Sequence, residues 1–168
     1  MDRINLGHKR IAYFGGTDMT IVRKERIAGY RQALATRGLG PEIVWNSEDN
    51  KLAGLDAMLA LRRAHPEITA VVCNGDMVAL GASLALVRSS LRPGKDLSVI
   101  GFDDIQDAAV ATPPLTTMAV CPHKLGRRLA RVLLDRIQDP EMPPTVVEIS
   151  AELVERETTG APHYADNI

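Results

Sequence analysis

Apolar positions in this chain come in short bursts, separated by stretches in which they recur every third or fourth residue. That alternation predicts strands followed by helices. RIAYF at 10–14 is rich in β-branched and aromatic residues and stops at Gly15-Gly16, the punctuation that ends a strand. From 20 to 37, Ile27, Tyr30 and Leu34 recur at helical spacing, and Gly38 stands where a glycine closes a helix. EIVW at 42–45 reads as the second strand, with Trp45 in the core. Ser47, Asp49 or Asn50 is then expected to cap a helix with the face Leu52, Leu55 and Leu59, which Pro66 prevents from continuing.

TAVVC at 69–73 is the third strand and leads into Asn74-Gly75-Asp76. MVALGASLALV at 77–87 is apolar or small on every side. Such a helix is expected to be covered on most of its surface, with Gly81 and Ala82 letting a neighbour approach closely. Pro93-Gly94 turns the chain into LSVIGF at 97–102, apolar on both faces as a central parallel strand is. The loop that follows, with Pro113-Pro114, is long for the interior of a compact domain and predicts a crossover between two lobes. LTTMAV at 115–120 is a short strand beyond it. Pro122 then starts a helix whose stripe is Leu125, Leu129, Val132, Leu133 and Ile137, with Arg127, Arg128, Arg131 and Arg136 around it. TVVEISAELVER at 145–156 supplies one or two closing strands, and the last dozen residues are expected to fray. Successive strand–helix units predict an α/β fold, a doubly wound and mostly parallel sheet with helices on both faces.

Composition narrows the function classes. The 168 residues suit one ordinary domain, and 45% apolar with 24% charged residues argues against disorder. Twenty Lys and Arg against 21 Asp and Glu leave a net charge of −1, without the basic footprint of a freestanding nucleic-acid binder. Cys73 and Cys121 lie in apolar runs with no CxxC spacing, so neither a disulfide nor a zinc site is expected, and a reducing cytoplasm is the default. MDRINLGHKR lacks the apolar stretch of an export signal, and the apolar runs are too short to span a bilayer, so no membrane association is expected.

In a parallel sheet, ligands meet the carboxyl ends of the strands, here 15–18, 46–49, 74–76 and 103–107. Asp103 and Asp104 offer acceptors only, which suits adjacent hydroxyls, an amine or a cation, or else the cap of a turn. A small α/β enzyme or phosphoryl-accepting receiver using Asp103 and Asp104 is an open alternative. Arg26 near the start of a helix opposes the helix dipole and so calls for an anionic partner or a ligand, whereas Arg23 and Lys24 read as a solvated face. Arg26 could hold a hydroxyl-rich ligand from one side while Asp103 accepts from the other, the two pairing when the site is empty. Asp76 reads as a helix N-cap or, less simply, a ligand contact. GGTDMT lacks both the GxGxxG fingerprint and the Walker lysine, and there is no GxSxG or HExxH. His8, His65, His123 and His163 share no strand end, so catalysis, a cofactor and a metal are not expected.

LGHKRIAYFGG, RIAGYRQAL, TAVVCNGDMVALG, DLSVIGFDDI and PPLTTMAV followed by KLG resemble, in order and over about 6–158, the lactose-repressor (LacI/GalR) family of transcriptional regulators. The resemblance implies a periplasmic-binding-protein-like domain that binds a small effector, a sugar or a purine-like molecule, between two lobes. It also implies a cytoplasmic homodimer that meets DNA only through a helix-turn-helix headpiece, which this chain does not contain. Residue by residue it places Asp103 against ligand hydroxyls or a ring nitrogen, Arg26 at a ligand-facing helix position, and Asp76 at the family's acidic corner. Gly75 stands where sugar-binding members have Asn, and Asn74 is the candidate to replace that contact. Asp49 falls near where an aromatic platform is common, and Val120 where a Gln follows the TT strand. On this reading 1–114 and 145–160 form the C-terminal lobe, 115–140 a strand and helix of the other lobe, and 161–168 a frayed tail. The helix stripe should then be exposed unless it folds back or pairs with a second copy, and half a cleft should bind weakly. A periplasmic-type sugar receptor without an export signal is a further alternative.

Overall fold

The computed structural model describes residues 6–15 and 20–163. Gly16 and Asp18, part of the first expected strand end, lie outside the described residues, as does the tail beyond 163. Strand β1 (Ile11–Gly15) is followed by α1 (Ile21–Thr36), β2 (Ile43–Asn46), α2 (Lys51–Ala64), β3 (Ala70–Cys73) and α3 (Asp76–Arg88). Then come β4 (Ser98–Asp103), α4 (Gln106–Val110), β5 (Thr116–Ala119), α5 (Pro122–Gln138) and β6 (Glu152–Val154). One six-stranded sheet has the order β2-β1-β3-β4-β5-β6, with β1 to β5 parallel and only β6 antiparallel. The expected α/β class, doubly wound and mostly parallel, is what the chain adopts.

Alternation along each strand divides the core between the two sheet faces. Ala12, Phe14, Val71, Cys73 and Val99 join α2, α3 and Ala108 of α4 in the larger cluster, against which Trp45 packs. Tyr13 joins Ile27, Tyr30 and Leu34 of α1 in a smaller one, with Ile11, Val44 and Val72 at its edge. Helix α1 covers only part of its face: Val72, Ile100, Phe102 and Met118 line an open groove of about 720 Å³. Helices α2 and α3 touch backbone to backbone. A Cβ on Gly81 would lie 1.9 Å from the Lys51 carbonyl oxygen, and one on Gly54 2.2 Å from that of Val78. The close approach expected at Gly81 is therefore present, and Gly54 is its counterpart.

Several expectations need correction. Asn50 caps α2 through the Ala53 amide, as one of the three candidates, but the buried face is Leu55, Met58 and Leu61, while Leu52 is exposed. Helix α3 is covered on most of its surface as expected, with Met77, Leu84 and Val87 on the exposed remainder. Asp76 is the first residue of α3, with Gly75 in the capping position. The strand expected in another lobe, 115–120, pairs with β4 in parallel from Ile100–Thr116 to Asp103–Ala119, so it belongs to the same sheet. The supposed crossover loop before it holds α4. Residues 157–160 do not fray: Thr158 is fully buried, its hydroxyl accepting from the Thr116 amide and donating to the Val99 carbonyl. At this same amino end His8 reaches Thr69, Ser98 and the Gly160 carbonyl.

Helix α5 contrasts with the rest. Pro122 stands in its first turn as expected, yet none of its residues is buried, and Leu129, Leu133 and Ile137 are 58%, 60% and 65% exposed. The chain leaves the sheet at Ala119 and returns opposite it at Glu152. Of the expected closing strands only β6 forms.

Candidate functional site

The strand order reverses between β1 and β3: β2 lies on one side of β1, and β3, β4 and β5 on the other. At such a switch point the loops leaving neighbouring strands diverge and open a crevice beyond their carboxyl ends. The Asn74 amide donates to the Phe14 carbonyl at 2.7 Å and the Ser47 amide to the Gly15 carbonyl at 2.6 Å, fixing the floor of that crevice.

Arg26 enters it from the second turn of α1. Its guanidinium donates to the Asn74 carbonyl, lies 3.8 Å from the centre of the Phe102 ring and stands 3.6 Å from an Asp103 carboxylate oxygen. The pairing expected between Arg26 and Asp103 in the empty site is present, and Asn74 joins it. Tyr13 donates its hydroxyl to Asn74 Oδ1 at 3.1 Å. Burial pushes the Tyr13 phenol up to about 12, against the pull of Arg26 and Arg23, so it acts as a neutral donor. Asp103 is half exposed; partial burial raises its carboxyl above the usual range, Arg26 opposes this, and Asp49 adds to it. Asp103 and Asp104 both have positive φ, +106° and +54°, a conformation that costs about 1–3 kcal/mol in residues with a side chain and concentrates at functional sites.

That backbone turns the two carboxylates apart. Asp104 takes Arg156 at 2.7 Å, while Arg156 also donates to the Leu115 carbonyl. The two aspartates thus do not present a joint acidic pocket of the kind a phosphoryl acceptor would use. Asp76 is turned inward as well. It is 1% exposed, accepts from the Thr117 hydroxyl at 2.6 Å and from the Ile105 amide at 2.9 Å, and ties α3 to β5 and to the loop after β4. Of the four candidates, the fold brings Arg26, Asn74 and Asp103 together and sets Asp76 beneath them.

Sequence reasoning missed Tyr13, Phe102 and Arg23. Arg23 is buried beside Gly15, contrary to the solvated face expected of it. Tyr13 and Phe102 sit inside strands, where only the register shows that their rings face α1. Among the described residues no group of three or more His, Cys, Asp and Glu side chains is placed to hold a metal, and no helix is long and apolar enough to cross a membrane.

A profile of the periplasmic binding protein-like domain matches residues 3–159. The chain is 36% identical over 160 residues to the HTH-type transcriptional repressor PurR of Vibrio campbellii, covering 92% of this chain and 47% of that protein. A dimeric Lac repressor with a C-terminal deletion superposes with a TM-score of 0.86 at 30% identity, over 94% of this chain and 58% of the other. The transcriptional regulator CelR in complex with cellobiose superposes with a TM-score of 0.82 at 32% identity, over 90% and 47%. The chain thus spans about half the length of the curated relatives it matches.

Proposed function

Since this chain belongs to the periplasmic binding protein-like domain family, we propose that it is the effector-sensing part of a LacI-type transcriptional regulator. It binds a small polar molecule, sugar- or purine-like, at the carboxyl ends of β1, β3 and β4. Arg26 donates to the ligand, Asp103 accepts from its hydroxyl or ring N–H groups, and the Asn74 amide completes the polar set. Asp76 acts from below by holding the loop that follows Asp103. The observation that carries this reading is the convergence of Arg26 on Asn74, Phe102 and Asp103 at the switch point.

The similarity to a regulator in complex with cellobiose supports the sugar class of effector. Residues 120–151, which leave and re-enter the sheet at one end, serve a second lobe that closes over the ligand. In the whole protein a separate headpiece meets DNA, the regulator acts in the cytoplasm as a homodimer, and its role is binding, with no chemical step. The same geometry gives no separate support to an enzyme or receiver built on Asp103 and Asp104, because Arg156 occupies Asp104.

The reading is tested by titrating the chain with ribose, cellobiose, guanine and hypoxanthine and following amide shifts by NMR. Asp103→Asn and Arg26→Gln are expected to weaken binding of the responding ligand by tenfold or more, about 1.4 kcal/mol each or above. Unchanged affinity in both variants would remove the site from this crevice.

A further inference from the structure

The turn after β4 carries two consecutive residues in a costly backbone conformation. Asp103 and Asp104 have φ of +106° and +54°, and the chain is back at −66° by Ile105. A residue with a side chain keeps such a conformation only where its surroundings fix it. Past the turn, Asp76 holds the Ile105 amide. Within it, the hold comes from Arg156, which donates through Nη2 to Asp104 Oδ1 and through Nη1 to the Leu115 carbonyl, both at 2.7 Å. The Arg156 amide donates to the Thr116 hydroxyl at 2.9 Å, so the backbone from which this side chain reaches out is itself tied down.

Arg156 stands just past β6, where the chain has returned from 120–151. Asp103 pairs with Ala119, the last residue before that excursion, and Ala119 pairs with Glu152, the first of β6. Exit, return and the crevice-facing aspartate therefore share one row of the sheet. The guanidinium joins three segments across that corner: the turn after β4, the residue before β5 and the chain leaving β6. Two bonds in a fixed planar fork are particular to arginine, and a lysine ammonium keeps the charge without that geometry. Asp104 is turned away from Asp103, so its pairing with Arg156 acts on the backbone between them. Once released, Asp104 is free to leave the left-handed region, and rotation of the peptide it shares with Asp103 swings the Asp103 carboxylate away from Arg26 and Asn74.

We propose that Arg156 is a positioning residue for effector binding: by holding Asp104 it sets the turn that aims Asp103 into the crevice. This rests on the reading of the crevice as the effector site. It makes the seat of β6, and with it the strand returning from 120–151, a determinant of effector affinity.

The test uses the ¹⁵N-labelled 168-residue chain and the variants Arg156→Gln, Arg156→Lys and Asp104→Asn. Asp104→Asn keeps the shape of the side chain and its ease in the left-handed region, so it reads the pair without disturbing the fold. Amide exchange comes first and needs no ligand. In Arg156→Gln the Ile105 amide is expected to exchange at least about tenfold faster, measured against the Tyr13 and Val71 amides of β1 and β3, which follow the sheet as a whole. Ribose, cellobiose, guanine and hypoxanthine are then titrated. For the molecule that shifts the strand-end amides, Arg156→Gln and Asp104→Asn should each weaken binding by at least about threefold, and Arg156→Lys should not restore it. On an Asp103→Asn background, Arg156→Gln should cause no further loss, whereas a residue that only stabilises the fold would act independently of Asp103. Exchange at Ile105 that keeps pace with the sheet, affinities equal to that of the natural chain, or losses that add to Asp103→Asn overturn the role of Arg156 and leave the effector site standing. If Asp103→Asn itself binds as well as the natural chain, or none of the four molecules shifts the strand-end amides, the reading of the crevice falls and the positioning role with it.

Discussion

Asp76 shows how a single side chain can serve a site without touching what binds there. Its two oxygens are spent on Thr117 and on the Ile105 amide, so the loop that follows Asp103 is anchored from beneath. Burial is the larger influence on its carboxyl and raises it above the ordinary aspartate range, with Thr117 and the Ile105 amide opposing. A raised carboxyl in the native chain takes up its proton at a higher pH than it does in the unfolded chain. The resulting stability is present in full below the unfolded value and is lost as pH rises through the folded one. Asp76→Asn removes this dependence while allowing Thr117 to accept in place of donating. Urea midpoints taken from neutral pH downward should therefore rise for the natural chain relative to Asp76→Asn; the opposite trend would show that Asp76 is not penalised by burial. At this scale Asp103 was legible because it stands at a strand end, where chemistry is expected, and Arg26 because a cation near a helix start calls for a partner. Tyr13 and Phe102 were not, since what they face is decided by pairing between segments far apart in sequence.

Elements were legible wherever periodicity had room to declare itself. Helices α1, α3 and α5 and strands β1 to β4 fall within a residue or two of their expected bounds. Helix α4 was invisible because its five residues are too few for a helical repeat. The face of α2 was misjudged because Leu52 and Leu59 were counted with Leu55, whereas the stripe that meets α3 carries glycine at its closest point. Two glycines in helices make this contrast measurable. Gly81→Ala brings a Cβ into the Lys51 carbonyl and should cost about 1–3 kcal/mol, even though alanine itself favours the helix by about 1 kcal/mol. Gly29→Ala in α1 meets nothing within 4 Å and should raise stability by up to about 1 kcal/mol. Urea denaturation of the two variants separates packing from propensity. If both shift the midpoint in the same direction, the close contact between α2 and α3 does not govern this part of the core.

For the molecule as a whole, the class of the sheet was legible and its order was not. Periodicity says which segments are strands, but neighbours in the sheet are chosen by which apolar faces meet, and these contacts are distant in sequence. For that reason 115–120 was assigned to another lobe although it pairs with β4. Helix α5 stands apart from the core: its stripe of Leu129, Leu133 and Ile137 faces solvent. An exposed apolar stripe of this kind drives association. Sedimentation velocity on a concentration series should show reversible self-association that Leu129→Glu with Leu133→Glu abolishes. Thermal stability of the double variant at low concentration should match that of the natural chain, because no residue of α5 is buried. Association that persists in the variant would move the contact to another face, such as Leu84 and Val87 of α3.

The pairing of Ala119 with Glu152 has a consequence for how the chain could be edited. Two adjacent antiparallel strands need only a tight turn to join them. Everything from 120 to 151 is therefore, in terms of connectivity, the enlarged tip of a β-hairpin. It can be excised and replaced by a short Asn-Gly turn, or exchanged for a foreign module, without rethreading any strand of the sheet.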